Sequence, residues 1–291
     1  MNGFFRQKRI TGIRFATPMI LTLALVVFIP LIFSFVVSFY RYTFINPDFN
    51  QFVFFNNFIN AFRDQYFWNA MKVTFLFVGL VVPLEFIVGY SIALLLNREI
   101  KFKTVFYTIL TIPMVMSPVV VGLIWKMLLH PELGIVNYFM SVLGLPYINW
   151  LGSPKTAIVT LVLVDIWHQV SFMILILLAG LSSLPKEPFE AAIIDGANGL
   201  QILLYVTTSL MKPIITVAVL MRLILAFRTY DLIYIITKGG PGISTDIISY
   251  YIYKKTFMGM DLSQASAVSY LLMLVVMVIV VILFRQMVKE R

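Results

Sequence analysis

Apolar residues along the chain come in long unbroken runs, not at the i, i+3, i+4 spacing of an amphipathic helix or the alternation of a half-buried strand. Six such runs lie at roughly 15–40, 70–96, 104–128, 156–181, 213–236 and 265–284. Each reaches or exceeds the roughly 20 residues a helix needs to cross the hydrocarbon core at about 1.5 Å per residue. The pattern predicts an all-α fold: a polytopic membrane helix bundle of six transmembrane helices. Buried helices of a soluble protein would need polar helices around them, and the sequence supplies none. The first run is too long and continuous for a signal peptide, and no small-residue cleavage site follows it.

Several runs carry proline: Pro18 and Pro30 in the first, Pro83 in the second, Pro113 and Pro118 in the third. Proline removes a backbone donor and kinks a helix, which a bundle tolerates when neighbours or water satisfy the freed carbonyl. Such kinks serve either as plain bundle geometry or as openings of a cavity between helices. Small residues (Gly79, Gly89, Ser91 and Ala93; Ala265, Ser266 and Ala267) permit close helix approach. The outer segment YRYTFINPDFNQFVFFNNF is aromatic and amide-rich, as expected of anchors at the headgroup level. Turn punctuation over 130–155 predicts short interfacial helices there.

Composition sharpens this picture. Charged residues make up 12% and hydrophobic residues 60%, about half the charge share of a soluble domain. The absence of cysteine excludes disulfides, thiolate metal sites and cysteine nucleophiles. The net charge of +9 reflects loop lysines and arginines that set orientation, and calls for no nucleic-acid partner. Arg98, Lys101, Lys103, Lys186 and Lys212 fall on one side with the basic ends MNGFFRQKR and FRQMVKER, so both termini are expected in the cytoplasm. The expected organisation is a basic cytoplasmic N-terminus at 1–14 followed by one six-span domain at 15–291.

Catalytic chemistry is thinly supplied. The only histidines are His130 and His168, and neither an HExxH helix nor a nucleophile elbow is present. No GxxxxGK[ST] loop is available to cradle a nucleotide, so the chain reads as a non-enzyme without metal or cofactor. What remains is a set of polar groups inside apolar runs: Glu85, Asp165, His168, Gln169, Arg222, Arg228 and Asp231. A charge at mid-bilayer costs about 2.5–3.5 kcal/mol, so these groups face the bundle interior or water. At helical spacing, Arg228 and Asp231 are placed to pair, and Asp165 shares a face with Gln169. The set reads either as the lining of a translocation path or as polar contacts that hold the bundle.

One polar stretch lies between two runs: LPKEPFEAAIIDGANGLQILLYVTTSLMKP, at about 185–212. Pro185 and Pro188 start a helix whose first turn holds Glu187 and Glu190, where the macrodipole favours acids. Gly196 stands where a C-terminal stop is expected, and a second helix begins near Asn198. The result is a cytoplasmic helix-turn-helix whose shape suits docking into a partner's groove.

This stretch resembles the EAA loop of ABC-importer permeases. Glu190, Ala191, Ala192 and Gly196 match the loop's pattern, and Asp195 and Gln201 match its sugar-importer version. The closing I-x-L-P of the pattern is replaced by Val206, Thr207, Thr208 and Ser209. The segments FNNFINAFRDQYFWNAMKVT, DIWHQVSFMILILLAGLSSLPKE and FRTYDLIYIITKGGPGISTDIISYYIYKKTF are similar to further parts of sugar-importing permeases of the maltose and glycerol-phosphate types. The resemblance implies a bacterial or archaeal plasma membrane protein that pairs with a second permease subunit. It implies a cytoplasmic ABC ATPase, carrying ATP and magnesium, gripped through Glu190 and Gly196, and an external solute-binding protein that delivers a sugar. An ion-coupled secondary transporter is the alternative, disfavoured by the lack of an internal repeat.

Overall fold

The computed structural model describes residues 15–289, so the basic N-terminus expected at 1–14 lies outside the described residues. The described chain is built of helices, and its contacts divide it into two units. One comprises the chain up to Asp64 together with Ile252–Met273; the other comprises Gln65–Tyr251 and the chain from Leu274 onward.

In the first unit, α1 (Phe15–Val37) is apolar on nearly every side and only 6% of its most apolar window is buried. A π-helical stretch, Ala24–Phe28, interrupts it just ahead of Pro30. The aromatic outer segment folds on itself: Phe33, Tyr40 and Tyr42 each set a ring against Phe49 at centroid distances of 6.2, 5.1 and 5.1 Å. The short α2 (Asn56–Arg63) is tied to that segment by the Asn57 amide, which donates to the carbonyls of Ser38 and Tyr40 at 2.8 Å each.

The second unit centres on α7 (Pro154–Ser182), of which 61% of the most apolar window is buried. It packs along α3 (Gln65–Leu96) and against α10 (Thr208–Phe227). Ala93, Leu96, Met173, Leu177, Met211 and Ala218 form the shared core. Glycine sets the spacing at two places. A Cβ at Gly89 would stand 2.9 Å from the Cβ of Met173, and one at Gly180 would stand 2.7 Å from Ile214 Cγ2. Gly79, expected to serve the same purpose, has nothing within 4 Å of a Cβ and makes no close approach.

The third apolar run is not a straight span. It consists of α4 (Lys103–Val115) and α5 (Pro118–Leu128), bent by 97° at Met116 and Ser117. A residue before proline is pushed out of the helical region, and Ser117 is extended at ψ 135. Among the described residues, five helices are long and apolar enough to cross a membrane, or six when this broken pair counts as one. The connection beyond α5 contains α6 (Ile135–Val142), where the sequence predicts interfacial helices. Between α7 and α10 lie α8 (Glu187–Ile194) and the single turn α9 (Gly199–Gln201). After α10 the chain turns at 228–230 and resumes as α11 (Asp231–Ile236), which packs against α5. Further along are α12 (Ile248–Tyr253), continued by a π-helical turn at Lys254–Met258, and α13 (Leu262–Lys289), whose residues divide between the two units.

Candidate functional site

Three helices of the second unit bring buried charge together. Arg222 of α10, 1% exposed, uses Nε and Nη2 to grip both oxygens of Glu85 on α3, the Nη2–Oε1 distance being 3.0 Å. The same Nη2 donates to Oδ2 of Asp165 on α7. A bidentate guanidinium–carboxylate fork fixes geometry as well as charge. Here one cation cross-links α3, α7 and α10, so the polar residues in these spans hold the bundle at that level.

Beside this cluster is a cavity of about 280 Å³. Asp165, His168, Gln169, Arg222, Arg228 and Asp231 line it, together with Tyr230 and Pro118. Six of the seven polar residues expected along a path or in bundle contacts therefore surround one space. Glu85 does not line it; fully buried, it stands behind Arg222.

His168 sits at the bend between α4 and α5. Its Nε2 is 3.1 Å from the carbonyl oxygen of Met116, which only accepts, so Nε2 carries the proton. Its Nδ1 is then an acceptor, filled by the Gln169 amide nitrogen at 3.1 Å. The carbonyl freed by the break at Met116 thus gains a donor from α7, and Gln169 keeps its Oε1 as an acceptor. Ser171, one turn on, donates to the carbonyl of Leu110 in α4.

The Arg228–Asp231 pairing expected from helical spacing does not form. Helix α10 ends at Phe227, where the N–H groups of Arg228 and Thr229 close onto the Leu225 and Ala226 carbonyls at 3.1 and 3.2 Å. Ser249 then donates to the Thr229 carbonyl, and Tyr230 takes a φ of −135 before α11 begins. The two charged residues lie on opposite sides of a helix break and make no ion pair. Arg228 is exposed and Asp231 half-buried. The lining residues Thr229 and Tyr230 carry no chemical motif; the only sequence signal for them is the polar run RTYD inside an apolar stretch.

The polar stretch between α7 and α10 forms a defined loop. Helix α8 begins with Pro188 in its first turn and ends in a Schellman motif: Ala197 N–H bonds the Ala192 carbonyl at 2.9 Å and Gly196 N–H bonds Ile193 at 3.1 Å. Gly196 has φ +79, the left-handed conformation that motif requires. A capping box follows: Gln201 N–H donates to Asn198 Oδ1 at 2.9 Å, and Asn198 N–H donates to Gln201 Oε1 at 2.8 Å. Gln201 therefore has a structural task inside the loop. Glu190, Ala191 and Asp195 are exposed, Ala192 is half-buried, and Ile193 and Ile194 are 63% and 85% exposed.

The entry into α10 departs from a regular helix. Residues Ile202–Thr207 are π-helical, and the hydroxyls of Thr207 and Thr208 donate to the Ile202 and Leu203 carbonyls at 3.2 and 2.8 Å. Threonine hydroxyls thus satisfy the carbonyls that the wider turn leaves, at the place where the EAA pattern has its I-x-L-P ending.

Comparison with known proteins places these features in context. The family profile described as "Binding-protein-dependent transport system inner membrane component" matches residues 85–291. A probable ABC transporter permease protein, y4oQ of Sinorhizobium fredii, is 35% identical over 94% of this chain and 90% of its own length. The trehalose/maltose transport system permease protein MalF of Thermococcus litoralis is 33% identical over 94% of this chain and 92% of its own. Among solved structures, a chain of a bacterial alginate ABC transporter in complex with an alginate pentasaccharide-bound periplasmic protein shares the fold. That chain has a TM-score of 0.83 and 24% identity over 95% of this chain and 93% of its own.

Proposed function

The chain belongs to the family of inner membrane components of binding-protein-dependent transport systems, and from that premise we propose that it forms half of the translocation path of an ATP-driven sugar importer. A second permease subunit supplies the other half, and an external solute-binding protein delivers the sugar. A cytoplasmic ABC ATPase, holding ATP and magnesium, drives the cycle, so no cofactor belongs to this chain.

The observation that carries this reading is the loop around α8. A Schellman motif and a capping box brace a short helix that leaves Ile193 and Ile194 uncovered. Two adjacent isoleucines on a braced helix in an otherwise polar loop suit docking into a partner's groove. Glu190 is the charged contact to the ATPase, Gly196 makes the turn, and Ala191 and Ala192 allow close approach. Docking of this loop places it, and both termini, in the cytoplasm. The cavity beside Arg222 is the path, opened by the breaks at Met116 and at 228–230. A carbohydrate cargo agrees with the trehalose/maltose permease at 33% identity over nearly the full chain.

Energy coupling separates this function from a secondary carrier. Uptake of a labelled sugar by cells expressing the full transporter is measured with an uncoupler present and ATP held constant. Uptake continues if ATP drives the import; its collapse at constant ATP means an ion gradient does.

A further inference from the structure

Another cavity, of about 630 Å³, lies between the ends of α3 and α7, helix α8 and the turn that follows it. We propose that it binds an anionic phospholipid of the inner leaflet, with the lipid phosphate held by Arg98 and Lys186. The proposal rests on the cytoplasmic placement of this loop given above.

Arg98 follows the end of α3 and Lys186 precedes α8, so two separate elements bring positive charge to one space. Among the described residues neither side chain makes an ion pair or a hydrogen bond, and both are exposed. Glu190 is the acid of the lining and pairs with neither of them; in the assembled importer it is the contact to the ATPase. The cavity therefore keeps a surplus of positive charge. Asn97 adds a donor: its Oδ1 lies 3.5 Å from the Ser182 hydroxyl, which leaves the amide nitrogen for a phosphate oxygen.

The rest of the lining decides between a lipid and a soluble anion. Asn97 and Arg98 come directly after the last residue of one span, Leu96, and Lys186 stands just beyond the end of another, Ser182. The ends of spans lie at headgroup depth. Leu94, Leu181, Leu184 and Leu203 form the apolar wall, which suits an acyl chain and offers nothing to a free phosphate. Basic pockets between spans on the cytoplasmic side are a recurring way to hold an anionic headgroup, each cation strengthening the association several-fold. Phe189 of α8, half-buried, lines the same cavity. A lipid seated there touches α8 on one side and the ends of α3 and α7 on the other, and so helps carry motion of the loop into the spans.

The test uses the complete transporter, with its partner permease and ATPase, in nanodiscs of equimolar phosphatidylcholine and phosphatidylglycerol. After transfer to detergent, native mass spectrometry counts the lipids retained on this chain. Phosphatidylglycerol is expected to stay bound in preference to phosphatidylcholine. Arg98→Gln combined with Lys186→Gln lowers its retention about tenfold, whereas Arg98→Lys combined with Lys186→Arg preserves the charge and keeps the lipid. Sugar-stimulated ATP hydrolysis falls several-fold in nanodiscs of phosphatidylcholine alone, and inorganic phosphate does not restore it. Equal retention of the two lipids overturns the proposal, as does unchanged retention in the glutamine variant or equal loss in the charge-preserving one. Restoration of hydrolysis by inorganic phosphate also overturns it, because the ligand is then a soluble anion. Failure of the importer reading shows separately, as absence of the ATPase from the purified complex, while the lipid count on this chain still reads the site.

Discussion

Arg222 depends on two carboxylates that lie 137 and 57 residues away in the sequence. Burying an ion pair is costly and its completed form is worth little net, but removing one partner leaves charge stranded in a low dielectric. Arg222→Met should therefore destabilise the protein by about 3–5 kcal/mol, read as a fall in Tm of the detergent-purified chain. Arg222→Lys should restore little, because one ammonium cannot fork to both carboxylates; an unchanged Tm in either variant contradicts the cross-linking role. Gly196 is a different case. Nothing stands within 4 Å of a Cβ there, so Gly196→Ala carries only the cost of the left-handed backbone, about 1–2 kcal/mol. Uptake should fall several-fold with the yield of folded chain unchanged, and Gly196→Asn should retain more activity, since asparagine tolerates this conformation. Wild-type uptake by Gly196→Ala would show that the turn can form without glycine. Gly196 was legible because an Asp-Gly pair after a short helix is a local signal. The partners of Arg222 were not, because a span reveals that a charge is buried but not which distant charge meets it.

At the scale of the element, two helices that hydropathy draws as continuous are broken. The α4–α5 bend was foreshadowed by Pro113 and Pro118, though no residue encodes its 97° angle. The break after Phe227 was hidden, because the apolar run continues on both sides of RTYD. Reading that run as unbroken helix produced the Arg228–Asp231 pairing that the structure replaces with two open side chains. The α8 loop was more readable, since its proline start, glycine stop and Asn198 cap are all local signals. Its capping box yields a measurement: Asn198→Ala should cost about 1 kcal/mol of local stability and speed proteolytic cleavage near 195–201. A cleavage rate equal to wild type would mean the box does not hold the loop. The π-helical entry at Ile202–Thr207 was not legible beyond the absence of the expected proline.

For the whole molecule, run length alone was enough to give the all-α class and a span count of six that the described helices reach when the bent α4–α5 pair counts as one, because the bilayer dictates how much apolar chain each crossing needs. The division into two units joins Ile252–Met273 to the chain up to Asp64, a pairing of distant segments that no local sequence signal announces. The central claim about the assembled protein is that α8 and its turn form the grip of an ATPase. The most direct measurement is gentle detergent purification of the tagged chain, expressed with its natural neighbours, followed by mass spectrometry of what accompanies it. The account predicts recovery of an ATPase and a second permease, with the ATPase lost when Glu190 or Gly196 is changed and the second permease retained. Recovery of the chain without an ATPase, or an ATPase held equally well by both variants, would contradict it.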